Sequence, residues 1–242
     1  MAQKRTTKTP LVSIVIPVYN EESLLFGSVV ELQERMRDFD FAYEILVCEN
    51  GSTDNTVEIG MALERRYAEV RLLRSPEPNY GAALRMGIEK ARGTFVINDE
   101  IDILDTKFYE RSLNLLRADQ CDLVVGSKLH PDSQDKRPML RHSATHIINF
   151  LLRISLGFKG TDTHGLKAFH RPRMLPVVAA CVVDKDLFAS EFVIRAERSG
   201  HRIIEVPVEI IEKRQPSINL FRRVPTVFRN LAQLVYTIRI KG

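Results

Sequence analysis

Runs of β-branched and other apolar residues alternate with amphipathic segments about five times between residues 11 and 127. The runs lie at 11–20, 43–48, 70–73, 94–97 and 121–126. Between them, apolar residues recur at helical spacing. This alternation is typical of βαβ units, in which helices cover both faces of a parallel sheet. The chain therefore predicts an α/β fold with a mostly parallel sheet flanked by helices.

The pattern changes in the second half of the chain. Two further strands are predicted at 162–169 and 203–208, and Pro207 indicates that the second lies at a sheet edge, because proline cannot donate to a ladder. Helical spacing recurs over 141–156, 188–198 and 218–238. The last of these segments predicts a C-terminal amphipathic helix.

The basic residues are concentrated at the C-terminal end. Residues 213–242 contain seven Lys and Arg residues and no acidic one, and removing them from the formal net charge of +4 leaves −3 for the body. This segment suits a helix lying on an anionic membrane surface. The alternative is a terminal helix packed on the sheet or in an oligomer. The acidic body argues against a nucleic-acid partner.

Three cysteines are widely spaced and odd in number, which predicts buried free thiols in a reducing compartment: Cys48, Cys121 and Cys181. Residues 1–10 are basic and polar and lack the apolar core of a signal peptide. No apolar run is long enough to span a bilayer. We therefore expect a cytoplasmic protein, with peripheral attachment to the cytoplasmic membrane face left open.

An acidic segment follows the fourth predicted strand and contains Asp99, Glu100, Asp102 and Asp105. Ligands of open α/β sheets bind beyond the carboxyl ends of the strands, so these carboxylates are expected to face a ligand crevice. Oxygen ligands of this kind suit Mg²⁺ or Mn²⁺, which in turn would hold a diphosphate. The alternative is a solvated turn in which Asp105 caps the next helix.

Six motifs occur in a fixed order and cover residues 11 to about 210: Val12–Glu22, Glu49–Thr56, Gly81–Gly93, Gly126–Lys128, Gly165–Phe169 and Glu205–Val208. In this order they resemble the family 2 inverting glycosyltransferases, which have the GT-A fold. Within that family, the chain is most similar to the dolichyl- or polyprenyl-phosphate hexose synthases. The resemblance implies transfer of a hexose from a GDP- or UDP-sugar donor to a polyprenyl phosphate acceptor, with inversion.

The resemblance also implies a division of the chain. It indicates a glycosyltransferase domain over 11–212, with a nucleotide-binding half at 11–127 and an acceptor half at 128–212. A basic tail at 1–10 precedes this domain, and the basic segment at 213–242 follows it.

The nucleotide site is the first site that the resemblance implies. Its residues would be Pro17, Tyr19, Glu21, Glu49 and Ser52, and Asp99 is a further candidate contact. An aromatic ring can pack on a base, and carboxylates can accept from base N–H groups and ribose hydroxyls. Glu49-Asn50 replaces the family's usual acidic pair, so the identity of the nucleotide stays open.

The metal site is the second. Counted from Gly93, the family's Asp-x-Asp motif falls on Glu100 and Asp102, which we expect to hold Mg²⁺ or Mn²⁺. Relatives often carry a metal-binding Gln two residues later, where this chain has Leu104. Asp99 and Asp105 could partly substitute for it.

The acceptor site needs positive charge more than a base, because a polyprenyl phosphate is already an anion. The resemblance implies Lys128 and Arg141 for this role, with Arg137 and Ser143 nearby. Glu191 matches an acidic residue near the donor sugar, and its alternative is an ion pair with a residue one helical turn later.

Two further segments carry weaker expectations. His164 is expected to cap a turn, and its alternative is a position near the metal or diphosphate. Arg214 and Ser217 match a segment that closes over the donor in relatives, although Pro216 stands near the expected Gly.

Two other functions remain open. A glycan or small-molecule hydroxyl could be the acceptor, in which case Glu191 is the candidate base and Asp102 keeps its catalytic role on the leaving group. A nucleotide-sugar-binding homologue that has lost catalysis is the second alternative, because the Asp-x-Asp motif is altered.

Overall fold

The computed structural model describes residues 9–135, 150–183, 187–210, 229 and 232–239. The strands are β1 (Val12–Val18), β2 (Tyr43–Asn50), β3 (Val70–Ser75), β4 (Phe95–Asn98), β5 (Leu123–Ser127), β6 (Gln134–Asp135), β7 (Lys167–His170), β8 (Ile203–Pro207) and β9 (Glu209–Ile210). The helices are α1 (Leu25–Arg35), α2 (Thr56–Arg66), α3 (Tyr80–Lys90), α4 (Thr106–Arg117), α5 (150–156), α6 (Arg171–Ala180), α7 (Phe188–Arg198) and α8 (232–239). A 3₁₀ turn over Met36–Asp38 extends α1.

Seven strands form one sheet in the order β3-β2-β1-β4-β7-β5-β8. Every pair in it is parallel except those of β7, which runs antiparallel to both β4 and β5. A mostly parallel sheet was therefore predicted correctly. The prediction that the strand at 203–208 lies at a sheet edge is also confirmed, since β8 lies at one end of the sheet.

Alternating side chains of the strands build one core on each face of the sheet. In β1, Ile14 and Ile16 pack with α1, α2 and α4, whereas Val15 packs on the other face with α3, α6 and α7. Helices thus cover both faces, as the alternating pattern required. All three cysteines are buried and free, which confirms their predicted state.

The C-terminal helix α8 packs on the protein over its described residues. Leu234 and Ile238 are buried in the core shared with α6 and α7, and Thr237 is buried beside them. For this part of the segment, the structure favours the docked helix over a membrane-surface helix. No described helix is both long enough and apolar enough to cross a bilayer.

Two helix starts are stabilised by side-chain caps, and the cap at Asp105 is the one that the alternative interpretation of the acidic segment expected. The side chain of Asn79 accepts from the N–H of Ala82 at 3.0 Å, and Asp105 accepts from that of Phe108 at 3.0 Å. Helix α1 has no side-chain cap and begins at Leu25. Asn20 has a φ of 53° and is held by the neighbouring loop instead of by a helix.

A buried carboxylate joins the amino ends of the central strands. Glu44, near the start of β2, accepts from Ser13 Oγ at 2.7 Å, from Arg71 at 2.8 Å and from the Arg92 side chain at 2.8 and 3.0 Å. Burial alone would raise the pKa of Glu44, but these hydrogen bonds hold it below its ordinary value. This network lies at the sheet edge opposite to the acidic segment.

Candidate active site

Three loops meet at the carboxyl edge of the sheet, after β1, β2 and β4. Strand β1 pairs with β2 on one side and β4 on the other, so the chain order reverses at this point. Crevices at such a reversal are the usual ligand sites of open α/β sheets. Tyr19, Glu49 and Asp102, which the sequence predicts as site residues, therefore lie along the carboxyl edge of the sheet.

The first two loops are hydrogen-bonded to each other. The N–H of Asn20 donates to Ser52 Oγ at 3.0 Å, and Asn20 Oδ1 accepts from the N–H of Thr53 at 2.8 Å. The N–H of Glu21 donates to Thr56 Oγ1 at 2.7 Å. These hydrogen bonds fix the loop that begins at Tyr19. The Tyr19 side chain is 43% exposed, so its flat ring is available to a ligand.

Glu49 is buried at the end of β2 and supports the turn that follows. Its Oε1 accepts from the N–H of Ser52 at 2.5 Å, and its Oε2 lies 4.0 Å from Arg74 Nε. Gly51 in this turn has a φ of 70°, and a Cβ there would lie 2.9 Å from the backbone N of Pro78. Glycine is thus required for the loop to pack this closely.

Pro17 lies in β1 itself and is paired with Cys48 of β2. It is partly buried beside Val18, and Glu21 is buried in the following loop. The structure therefore gathers all five predicted nucleotide residues into the first two loops and the strand ends beneath them.

Asp99 does not face the crevice. It is fully buried, and its carboxylate accepts from Tyr109 Oη and the N–H of Glu100, both at 2.6 Å. Residues 95, 97 and 99 alternate along the chain and so point to the same face of the sheet. Phe95 and Ile97 pack on the face that α4 covers, and the Asp99 side chain lies on that face too. We correct the expectation that Asp99 contacts the nucleotide and assign it to anchoring the acidic turn.

Burial raises the pKa of Asp99 to about 7. The folded chain therefore holds a proton that the unfolded chain, with an Asp pKa of about 3.9, has released. The contribution of Asp99 to the free energy of unfolding is therefore at its maximum below about pH 4, and it is lost as the pH rises to about 7.

We predict that Asp99→Asn becomes progressively more stable than the wild type between about pH 4 and pH 7, by no more than about 1.4 kcal/mol per pH unit, and that the difference is then constant. Urea unfolding at a series of pH values measures this difference. Asp40→Asn, at an exposed position, is the matched control. A pH-independent difference for Asp99→Asn would show that this carboxyl group is ionised in the folded protein throughout.

Glu100 and Asp102 lie on the turn between β4 and α4, and both side chains are partly exposed. Mg²⁺ is commonly held by one or two carboxylates, with substrate phosphates and water completing its shell. The two residues fit that role. Among the described residues, no group of three His, Cys, Asp or Glu side chains is arranged to hold a metal ion. A cation here would therefore depend on the donor's phosphates. Leu104, which replaces the family's Gln, is fully buried.

Lys167 is a buried lysine whose side chain is attracted by Glu100 of this turn, and it is not among the site residues predicted from the sequence. Lys167 begins β7, is buried, and donates from Nζ to the carbonyl oxygen of Gly165 at 2.7 Å. Desolvation lowers its pKa to about 8, against the attraction of Asp162 and Glu100. A charged residue inside the otherwise apolar strand motif at 165–169 was the sequence signal that could have identified it.

Lys128 lies at the end of β5, where a loop from 160 to 166 packs over the strand. Its backbone N–H donates to Asp162 at 3.1 Å, and its side chain is partly exposed. A Cβ on Gly165 would lie 1.7 Å from the carbonyl oxygen of Gly126, so only glycine permits this approach. The predicted acceptor residue Lys128 is thus adjacent to the Lys167 region.

Glu191 is fully buried in the first turn of α7. One oxygen accepts from the N–H groups of Val182 and Val183 at 3.0 and 2.6 Å, and the other accepts from Arg195 Nε at 2.8 Å. The ion pair one helical turn away is present, although it is buried and not on the surface. Because both oxygens are engaged inside the protein, Glu191 is not placed to act as a general base in this arrangement.

His164 lies in a hydroxyl-rich turn beside α7. Its Nδ1 is 3.1 Å from Thr163 Oγ1, and its backbone N–H donates to Asp162 at 2.8 Å. His164 therefore lies in a turn, as expected from the sequence. The predicted residues Arg137, Arg141, Ser143, Arg214 and Ser217 lie outside the described residues.

A seven-stranded mixed sheet, helices on both faces and an acidic turn at the chain reversal define the GT-A class of fold. Residues 13–175 match the family described as Glycosyl transferase family 2. This chain belongs to glycosyl transferase family 2.

Two curated relatives show similar levels of identity. Glycosyltransferase AglD of Haloferax volcanii is 30% identical over 219 residues, which cover 88% of this chain and 35% of AglD. Dolichyl-phosphate beta-glucosyltransferase ALG5D of Trichomonas vaginalis is 30% identical over 213 residues, which cover 82% of this chain and 65% of ALG5D. The chain thus spans about a third of the first relative and just under two thirds of the second.

Solved structures share the fold at lower identity. Glucosyl-3-phosphoglycerate synthase of Mycobacterium tuberculosis, in complex with Mn²⁺, UDP-glucose and phosphoglyceric acid, superimposes with a TM-score of 0.67 at 18% identity. The match covers 93% of this chain and 80% of that one. A second complex of the same enzyme, with Mg²⁺ and UDP, gives a TM-score of 0.65 at 17% identity.

Proposed function

We propose that this protein is a glycosyltransferase that moves a hexose from a nucleotide sugar to a polyprenyl phosphate, with inversion at the anomeric carbon. The observation that carries the proposal is the convergence of three loops at the chain reversal, where Tyr19 is exposed and Asp102 lies on the acidic turn. The relatives named as dolichyl-phosphate beta-glucosyltransferases support glucose as the sugar.

In this proposal the first two loops bind the nucleoside and the acidic turn binds the diphosphate. Tyr19 packs on the base, while Glu49 holds the turn that carries Ser52 toward the ribose. Glu100 and Asp102 would hold Mg²⁺ or Mn²⁺. The cation would neutralise the charge that develops on the diphosphate leaving group. The structural neighbour was solved with Mn²⁺ or Mg²⁺ and UDP, which supports the use of a divalent cation in general.

The buried state of Glu191 supports a phosphate acceptor over a hydroxyl acceptor. A hydroxyl group needs a base to remove its proton, whereas a phosphate monoester attacks as an anion. Glu191, the candidate base, is engaged by Arg195 and two backbone N–H groups. Lys128 supplies positive charge on the acceptor side, next to the loop at 160–166.

Helix α5 offers a surface for a membrane-borne acceptor. Phe150 and Ile154 lie one helical turn apart and are 61% and 66% exposed. Apolar side chains at this spacing project from the same side of a helix, where they can enter a lipid interface. We therefore propose α5 as a membrane contact.

The proposed donor is tested by thermal unfolding with UDP- and GDP-sugars, each with and without Mn²⁺. A ligand that binds only the native state raises the midpoint by mass action. We expect one nucleotide class to raise it, and Mn²⁺ to increase the shift. A folded sample with no shift for any donor would favour the non-catalytic alternative.

We predict that replacing both Phe150 and Ile154 with Ser weakens binding to anionic lipid vesicles at least about tenfold, because both apolar side chains leave the interface. Vesicle sedimentation measures the binding, and transfer to a short-chain, water-soluble prenyl phosphate should be unchanged. Phe26→Ser, at an apolar position on α1 that is 42% exposed, is the control. Equal vesicle binding by the double variant and the wild type would exclude α5 as the membrane contact.

A further inference from the structure

Lys167 lies at the carboxyl edge of the sheet although it belongs to an antiparallel strand. It is the first residue of β7, and its Cα pairs with Asn98 at the end of β4 and with Val125 of β5. The acidic turn begins directly after β4. Lys167 therefore lies at the carboxyl edge of the sheet, beside the end of the strand that leads into the turn with Glu100 and Asp102.

The ammonium group of Lys167 is buried with little compensation. An ammonium has three N–H donors, and one of them donates to the Gly165 carbonyl at 2.7 Å. Among the described residues, no carboxylate oxygen lies within 4.0 Å of this Nζ. Buried charges in proteins are normally paired, because an unpaired one costs several kcal/mol. A buried cation with unused donors therefore needs a reason beyond stability.

The nearest acidic side chains do not supply the missing partner. Asp162 attracts Lys167, but its two oxygens accept from the backbone N–H groups of Lys128 and His164 at 3.1 and 2.8 Å. Glu100 also attracts Lys167 and is partly exposed. The charges of Glu100 and Lys128 both act on Lys167, and both of these side chains are partly exposed. The buried ammonium is therefore coupled to side chains that reach solvent.

We propose that Lys167 binds the diphosphate of the donor and carries part of the positive charge that this site presents to it. The inference rests on the proposed function, because it presumes a nucleoside diphosphate in the crevice. A lysine suits this position, since it acts as a compact point charge on a flexible stem and is a common phosphate ligand. Glu100 and Asp102 would hold the cation, and Lys167 would add a positive charge to the same site.

The test compares binding of the nucleoside, its monophosphate and its diphosphate to wild type and Lys167→Met, by isothermal titration calorimetry with and without Mn²⁺. We expect Lys167→Met to bind the diphosphate at least tenfold more weakly and the nucleoside equally well. Its unliganded melting temperature should not fall, because methionine removes a poorly compensated buried charge. Lys159→Met, at an exposed position, should match the wild type in every titration.

Other outcomes overturn the inference. Equal losses of affinity for nucleoside and diphosphate, together with a lower melting temperature, would assign Lys167 to structure alone. Unchanged diphosphate affinity would exclude the contact. If Lys167→Met does not fold, Lys167→Gln, which keeps a donor for Gly165, enters the same titrations. A wild type that binds none of the nucleotides would refute the proposed function itself, and the inference with it.

Discussion

Replacing Asp102 with alanine is expected to reduce sugar transfer by about 10²- to 10³-fold, while the protein remains folded. The carboxylate lies on the turn between β4 and α4, outside the core, so its loss should leave the packing of the sheet unchanged. In the proposed mechanism Asp102 would hold the cation, which would supply positive charge to the diphosphate as it leaves. Initial rates with saturating donor measure the effect.

The same variant should lose the Mn²⁺-dependent part of nucleotide binding, which is measured by calorimetry independently of turnover. Asp40→Ala is the matched control, because Asp40 is exposed and precedes β2, at the opposite end of the sheet. Transfer at the wild-type rate by both Asp102→Ala and Glu100→Ala would refute the metal role of the acidic turn. Loss of transfer with intact metal-dependent binding would place Asp102 in a different step.

The second large effect concerns stability. Glu44→Ala should lower the free energy of unfolding by about 3 kcal/mol, because it removes the common acceptor of Ser13, Arg71 and Arg92. We place the cost at the lower end of the range for buried charge pairs, since both arginines are partly exposed. Urea unfolding measures it. Glu31→Ala, which removes a surface pair with Arg35, should cost about 1 kcal/mol or less.

The pH dependence gives this prediction a second test. The folded pKa of Glu44 is below its unfolded value of about 4.3, so its contribution is full above that pH and is lost as the pH falls through the folded pKa. The stability difference between wild type and Glu44→Gln should therefore shrink only in acid. A difference that stays constant to low pH would show that hydrogen bonding by a neutral group is sufficient.

The sequence predicted most elements of the fold, because period and capping are local properties. Helix α7 covers Phe188–Arg198 as expected, and Asp105 caps α4 as the alternative interpretation of the acidic segment expected. Helix α6 was not predicted, since it contains both Pro172 and Pro176. Proline is tolerated in the first turn of a helix, but Pro176 lies inside it, and local rules argue against a helix there.

The site was harder to predict than the fold, because it depends on which side of a strand each residue faces. Asp99 and Glu100 are adjacent in sequence, yet the first is buried against Tyr109 and the second is partly exposed. Lys167 could not be placed at the acidic turn from sequence alone, since strand periodicity gives neither the direction nor the neighbours of β7.

The insertion of β7 also has a consequence for the order in which the chain can fold during synthesis. Strands β4 and β5 are not neighbours, and each pairs with β7, which begins at Lys167. When the ribosome has completed β5, the edge of β4 is unpaired and β5 has neither of its partners. Such open edges can template association between chains. The first half of the protein must therefore wait for about 40 further residues, released at about 5–20 per second, before its sheet can close.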